Sequence, residues 1–170
     1  ALAENVIRQN GIVFGAKFDS GFNVIHGYTD SIEGLADFRG SKYVQSTIGK
    51  SFKDCKRFLD EDRTVLFSGT PCQIAGLISF LGKDYDNLLL VDIICHGIPS
   101  PFLWSTYKKY YEELYSSKIK EITFRKKDEG WKHYCIVFTF ENTSEYRNKV
   151  KHDAYLKLFL KDVCLRESCY

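Results

Sequence analysis

Two short apolar runs, Thr64–Ser68 and Leu88–Cys95, each end in a turn-forming junction and lead into a helix-patterned segment, Pro71–Leu81 and Pro101–Ser116. Strand, helix, strand and helix with short connections make a βαβ unit. Its strands are expected to be parallel and covered on both faces. The expected fold class is therefore α/β, a βαβ unit with parallel central strands plus flanking antiparallel hairpins. One hairpin is Gly11–Phe18 and Phe22–Tyr28, turned at Asp19-Ser20-Gly21. The other is Ile119–Arg125 and His133–Phe140, turned at Asp128-Glu129-Gly130, with Tyr134, Ile136, Phe138 and Phe140 on one face. Helices are expected over Asp30–Phe38, Ser51–Glu61 (apolar at Phe52, Cys55, Phe58 and Leu59) and Asp153–Val163 (Leu156, Phe159, Leu160 and Val163). A boundary at residue 63 would divide an N-terminal hairpin-and-helix portion, 1–63, from an α/β portion, 64–170.

A chain of 170 residues fits one domain, or one plus part of another. At that length roughly 70% of the unfolded surface can be buried. With 44% hydrophobic residues, 13 Phe and 11 Tyr, it is a globular composition rather than a disordered one. The longest apolar run is broken at Asp92 and is too short to cross a bilayer. Net charge is +2, and the densest basic cluster, Arg125-Lys126-Lys127, meets Asp128-Glu129 at once, which argues against nucleic acid as a partner. Six cysteines without a paired pattern or a secretory signal point to metal or redox use in a cytoplasmic protein, not to a disulfide framework. Cys55 on a helix and Cys135 in a strand read as packing. The chain starts at Ala1, contains no Met, and ends Leu165-Arg166-Glu167-Ser168-Cys169-Tyr170, like half of a metal-binding cysteine motif. It is expected to be an excised piece of a larger protein, truncated at its C-terminus.

Three segments carry chemistry. In Gly69-Thr70-Pro71-Cys72-Gln73, Gly69 permits a tight strand exit, Thr70 suits a helix N-cap, Pro71 the first helical position, and Gln73 the reciprocal cap. A helix start suits an anion such as phosphate, and its first turn suits a thiolate at Cys72. The same residues also describe a capped helix with an incidental cysteine. In Cys95-His96-Gly97-Ile98-Pro99-Ser100-Pro101, the first three residues follow the second strand directly. Parallel neighbours about 4.8 Å apart would bring Cys72 and Cys95 to one edge, within about 10 Å. The loop Gly40-Ser41-Lys42-Tyr43-Val44-Gln45-Ser46 combines a glycine, hydroxyls, a lysine and an aromatic, which suit a phosphate and a planar ring but equally a solvated loop. Two rival readings stay open: an enzyme with a Cys72 nucleophile activated by His96, and a cofactor-free interaction scaffold, for example in a surface-polysaccharide pathway.

Taken in order, these segments resemble the coenzyme F420 hydrogenase/dehydrogenase beta-subunit family. The resemblance runs through Gly11-Ile12-Val13-Phe14-Gly15-Ala16, Phe38-Arg39 with Gly40 to Ser46, Val65 to Leu77, and Val91 to Pro101. It continues in Phe124-Arg125-Lys126-Lys127, Gly130-Trp131-Lys132 and Leu165 to Tyr170. Glu167 departs from the proline of the family pattern, and the family's next cysteine would fall beyond Tyr170. The resemblance implies an oxidoreductase with FAD and a 4Fe-4S cluster. It would pass electrons between a ferredoxin-like carrier or cluster domain and a small-molecule acceptor such as coenzyme F420. It implies Cys72, Cys95 and Cys169 as cluster ligands. Flavin would be held by Ser41, Lys42, Tyr43, Gln45 and Ser46, by Gly69, Thr70, Pro71 and Gln73, and by His96 and Gly97, with Arg125 and Lys127 meeting acidic groups of a cofactor. In the isolated chain no intact cluster is expected.

Overall fold

The computed structural model describes residues 1–128, 130 and 133–169. Glu129, Trp131, Lys132 and Tyr170 lie outside the described residues, and with them parts of the Asp128-Glu129-Gly130 turn, the Gly130-Trp131-Lys132 motif and the final Cys169-Tyr170 pair. The chain divides into two compact units, one of residues 1–39 and 46–95, the other of residues 40–45 and 96–170.

The first unit begins with α1 (Leu2–Arg8), where the sequence pattern predicted no element, and the antiparallel pair β1 (Ile12–Phe18) and β2 (Val24–Thr29). Asp19 makes the hairpin turn, its Oδ1 accepting from the amides of Gly21 at 2.9 Å and Asn23 at 2.8 Å. A 3-10 turn, Glu33–Phe38, stands where a helix was expected, and α2 (Ser51–Asp60) follows. The βαβ unit is then β3 (Val65–Gly69), α3 (Pro71–Leu81) and β4 (Leu88–Asp92). Strand order is β2-β1-β3-β4, with β3 parallel to both neighbours, so the central strands are parallel as the alternation required.

Period-2 alternation sorts the core. Ile12, Phe14, Val65 and Phe67 pack on one face with Cys55, Phe58 and Leu59 of α2 and Ile74, Leu77 and Leu81 of α3. Val13 and Leu66 pack on the other with Val6 and Leu35. Gly82 ends α3 in the left-handed conformation at φ 68°.

Two expectations for the second central strand are corrected. The strand stops at Asp92 rather than Cys95, and it is half exposed instead of covered on both faces. Its partner β3 runs out at Gly69, whose carbonyl accepts the last cross-strand bond, from Ile93 N–H at 3.0 Å. As the edge strand, β4 also has no neighbour on its far side among the described residues.

The second unit holds α4 (Pro101–Leu114), the antiparallel strands β5 (Ile119–Lys126), β6 (Cys135–Phe140) and β7 (Glu145–Lys149), and α5 (Ala154–Leu160). The expected hairpin is thus extended by a third strand, and the last helix is shorter than 153–163. Trp104 and Tyr107 of α4, Phe124 of β5, Phe138 of β6 and Tyr155 of α5 form an aromatic core. At its centre Asp153 is fully buried and caps α5, accepting from the Leu156 amide at 2.8 Å. The same carboxylate accepts from the phenols of Tyr107 and Tyr146. Among the described residues no helix is long and apolar enough to cross a membrane.

Candidate cofactor-binding site

In the first unit, the register Val65↔Leu88 to Gly69↔Asp92 brings the C-terminal ends of β3 and β4 to one sheet edge. The junction after β3 is capped as the residue types demanded. Gln73 Oε1 accepts from the Thr70 amide at 3.1 Å, and the Thr70 side chain accepts from the Gln73 amide. Cys72 lies in the first turn of α3 with an exposed thiol, its Sγ 3.1 Å from Thr70 Oγ1. Cys95, also exposed, follows the end of β4 by three residues. Two other cysteines are sealed in: Cys55 and Cys135 are buried, and burial pushes the Cys55 thiol up to about 12.

Ser46 joins this edge through a residue that motif spacing did not single out. Gln73 Nε2 donates to Ser46 Oγ at 2.8 Å, and Ser46 Oγ lies 3.2 Å from Nδ1 of His26 on β2. The other ring nitrogen of His26 is 2.8 Å from the carbonyl of Ser68, next to the junction. The only hint in sequence was a histidine two residues after Val24, on the inward phase of a strand.

The second unit carries the remaining residues. Tyr43 is anchored on three sides, stacked on Phe159 at 5.2 Å, edge-on to Phe124 at 5.5 Å, with its carbonyl accepting from Tyr155 O–H at 2.7 Å. Buried Val44 adds a second anchor, while Ser41, Lys42 and Gln45 are partly exposed, with Lys42 Nζ donating to the Gly40 carbonyl at 3.4 Å.

His96 pairs through Nε2 with Asp162 Oδ1 at 2.8 Å and lies edge-on to Phe159 at 5.0 Å. Gly97 needs its glycine: at φ 133° a Cβ would stand 2.7 Å from Leu165 Cδ1. The same point is 3.5 Å from Cys169 Cβ, so Cys169 packs on this loop two residues along the chain from Cys95. The contact is fixed by an antiparallel pairing of the loop with the chain's last segment. Ser100 N–H donates to Cys164 O and Arg166 N–H to Ile98 O, both at 3.0 Å. Arg125 lies 4.3 Å over the ring of Tyr134, and Lys127 is exposed. Tyr155, Phe159, Asp162 and Leu165, which hold these residues, lie where the sequence shows only a helix pattern or motif spacing.

Residues 62–170 match the family model for the C terminus of the coenzyme F420 hydrogenase/dehydrogenase beta subunit. The chain belongs to this family. Its fold is similar to a chain of the F420-reducing NiFe hydrogenase complex from Methanosarcina barkeri, solved as a xenon derivative, with a TM-score of 0.60 and 15% identity over 99% of this chain. That match takes in 55% of the hydrogenase chain, so the present chain spans about half its length. Among curated proteins no sequence matches it.

F420 hydrogenase/dehydrogenase beta subunits are generally associated with flavin and iron–sulfur groups. For a flavin phosphate the α3 junction fits. Pro71 lacks an N–H and the capping box engages those of Thr70 and Gln73, which leaves the Cys72 amide and the positive end of the helix dipole toward an anion. For a cluster the donor chemistry fits, since Cys72 and Cys95 offer exposed soft ligands. Among the described residues no group of three His, Cys, Asp or Glu side chains is gathered as a metal site.

Proposed function

We propose that this chain is part of a flavin- and iron–sulfur-dependent oxidoreductase. It would carry electrons between a ferredoxin-like donor and an organic acceptor such as coenzyme F420. The observation that supports this most is the shared exit edge of β3 and β4, which leads into a capped helix start and is followed by two exposed cysteines, Cys72 after β3 and Cys95 after β4. A flavin there would supply the exchange between two-electron and one-electron chemistry, and a cluster would supply single-electron transfer.

The chain's own residues supply positioning and charge. Gly69, Thr70 and Pro71 shape the tight exit and orient the Cys72 amide. Ser41, Lys42, Tyr43 and Gln45 form the loop that would meet the flavin, held in place by the packing of Tyr43 and Val44. Arg125 and Lys127 would place positive charge for acidic groups of a cofactor or acceptor. Cys72 and Cys95 are the cluster ligands proposed from the first unit and Cys169 from the second. His96 and Gly97 shape the loop that follows Cys95.

Anaerobic reconstitution of the full-length protein with FAD, iron and sulfide tests this reading. Flavin and cluster absorption are expected together. Cys72→Ser, Cys95→Ser and Cys169→Ser should each lower cluster content, and Cys55→Ser should not. Full cluster absorbance in both the Cys72→Ser and Cys95→Ser proteins would refute the ligand assignment, and a protein that takes up no flavin would refute the flavin half.

A further inference from the structure

His26 is 7% exposed and lies flat on Phe67, ring centroids 4.9 Å apart and planes 16° from parallel. Both its nitrogens face polar partners, and those partners determine the position of its proton. Ser68 presents a carbonyl oxygen, which only accepts, so Nε2 carries the hydrogen at 2.8 Å. In a neutral ring Nδ1 must then accept, and the neighbour able to donate is the Ser46 hydroxyl at 3.2 Å. Ser46 Oγ in turn accepts from Gln73 Nε2 at 2.8 Å, and Gln73 Oε1 accepts from the Thr70 amide at 3.1 Å. The chain of bonds runs in one direction from the α3 cap to the end of β3, each donor meeting an acceptor. Burial lowers the imidazole's proton affinity, which agrees with a neutral ring. The backbone repeats the connection, with His26 N–H donating to Thr47 O at 2.8 Å and Thr47 N–H to Val24 O at 2.9 Å.

We propose that His26 is a positioning residue. Held as the neutral Nε2–H tautomer, it locks Ser46, and through Ser46 the Gln73 cap, so that β2, the Ser46–Thr47 segment and the start of α3 behave as one rigid piece. For its functional meaning this rests on the flavin reading above, because these segments would meet the cofactor phosphate. One consequence alters the role given to Ser46: its hydroxyl proton is committed to His26, so it serves the site by orienting Gln73 and not by donating to the flavin.

Nitrogen-15 NMR of the imidazoles in the full chain, joined to FAD titration, tests the proposal. The expected signature for His26 is a neutral ring protonated at Nε2. Ser46→Ala should disturb that signature and weaken FAD binding about tenfold, the scale of one buried hydrogen bond. His26→Phe preserves the stacking on Phe67 and should weaken FAD to a similar degree, and the double variant should lose no more than either single one. If His26→Phe fails to fold, Ser46→Ala, the smaller change, carries the test. An Nδ1-protonated ring in the wild type overturns the proposal, as does a Ser46→Ala chain with unchanged imidazole signals. Additive losses in the double variant overturn the coupling. A wild-type chain that binds no FAD overturns the flavin reading instead, while the NMR signature still decides the network.

Discussion

His26 and Asp153 are polar side chains buried in different units, and burial gives each a measurable consequence. Desolvation lowers the His26 pKa from its ordinary 6.5, outweighing the bond to the Ser68 carbonyl, which raises it. In the unfolded chain the same imidazole takes up a proton near its ordinary value, so protons favour unfolding. The contribution of His26 to stability is therefore complete above about pH 6.5 and is lost progressively as the pH falls from there through its lowered folded value. The urea midpoint should drop between about pH 7.5 and about pH 5, and His26→Phe should reduce that drop. Equal drops in the two proteins would count against the assignment. Asp153 accepts from two phenols and a helix amide, and burial together with the carboxylate pushes the Tyr107 phenol well above its usual range, so that it stays a donor. Asp153→Ala removes the acceptor that two phenols and the α5 cap share and should cost about 3 kcal/mol or more, against about 1–2 kcal/mol for Tyr107→Phe. Chemical denaturation giving the reverse order would contradict this. The sequence marked Asp153 only as a helix start. Its phenol partners come from α4 and β7, elements whose packing against α5 no pattern within the helix reveals.

Elements were legible where their apolar period was strong. α2, β3 and α3 lie within a residue of their expected limits because each buries a regular face. β7 was not legible, since Glu145-Tyr146-Arg147-Asn148-Lys149 buries one side chain, Tyr146, and owes its strand geometry to pairing with β6. α1 shows the same problem, with Val6 its one buried residue. The end of β4 depended on where its partner stopped. The loop at Gly97 belongs to this scale too. Gly97→Ala meets both a positive φ and the side chain of Leu165, so it should force the pairing of the loop with the chain's last segment to open, at about 1–3 kcal/mol. Reconstituted cluster content should fall with it. Gly97→Ala with unaltered stability would show that the loop adapts freely.

For the molecule as a whole, the six cysteines sort by burial rather than by position in the chain. Iodoacetamide should label native Cys72 and Cys95 rapidly, and Cys55 and Cys135 only after unfolding, as read by peptide mass mapping. Labelling of native Cys55 at the rate of Cys72 would mean that its core opens. The amino-acid sequence by itself determined the α/β class, the parallel pair, the capped junction at Thr70 and the packing of Cys55 and Cys135 in the core. Each of these follows from spacing within a few residues, the range over which helix and strand periods act. The sequence also carried the ordered motifs that mark the family. Tertiary structure alone decided that His26 reaches Ser46 and Ser68, that Asp153 gathers two tyrosines, and that Cys169 packs against Gly97. These contacts join residues far apart along the chain, and only the folded backbone, by packing its layers and excluding water, brings such groups within bonding distance.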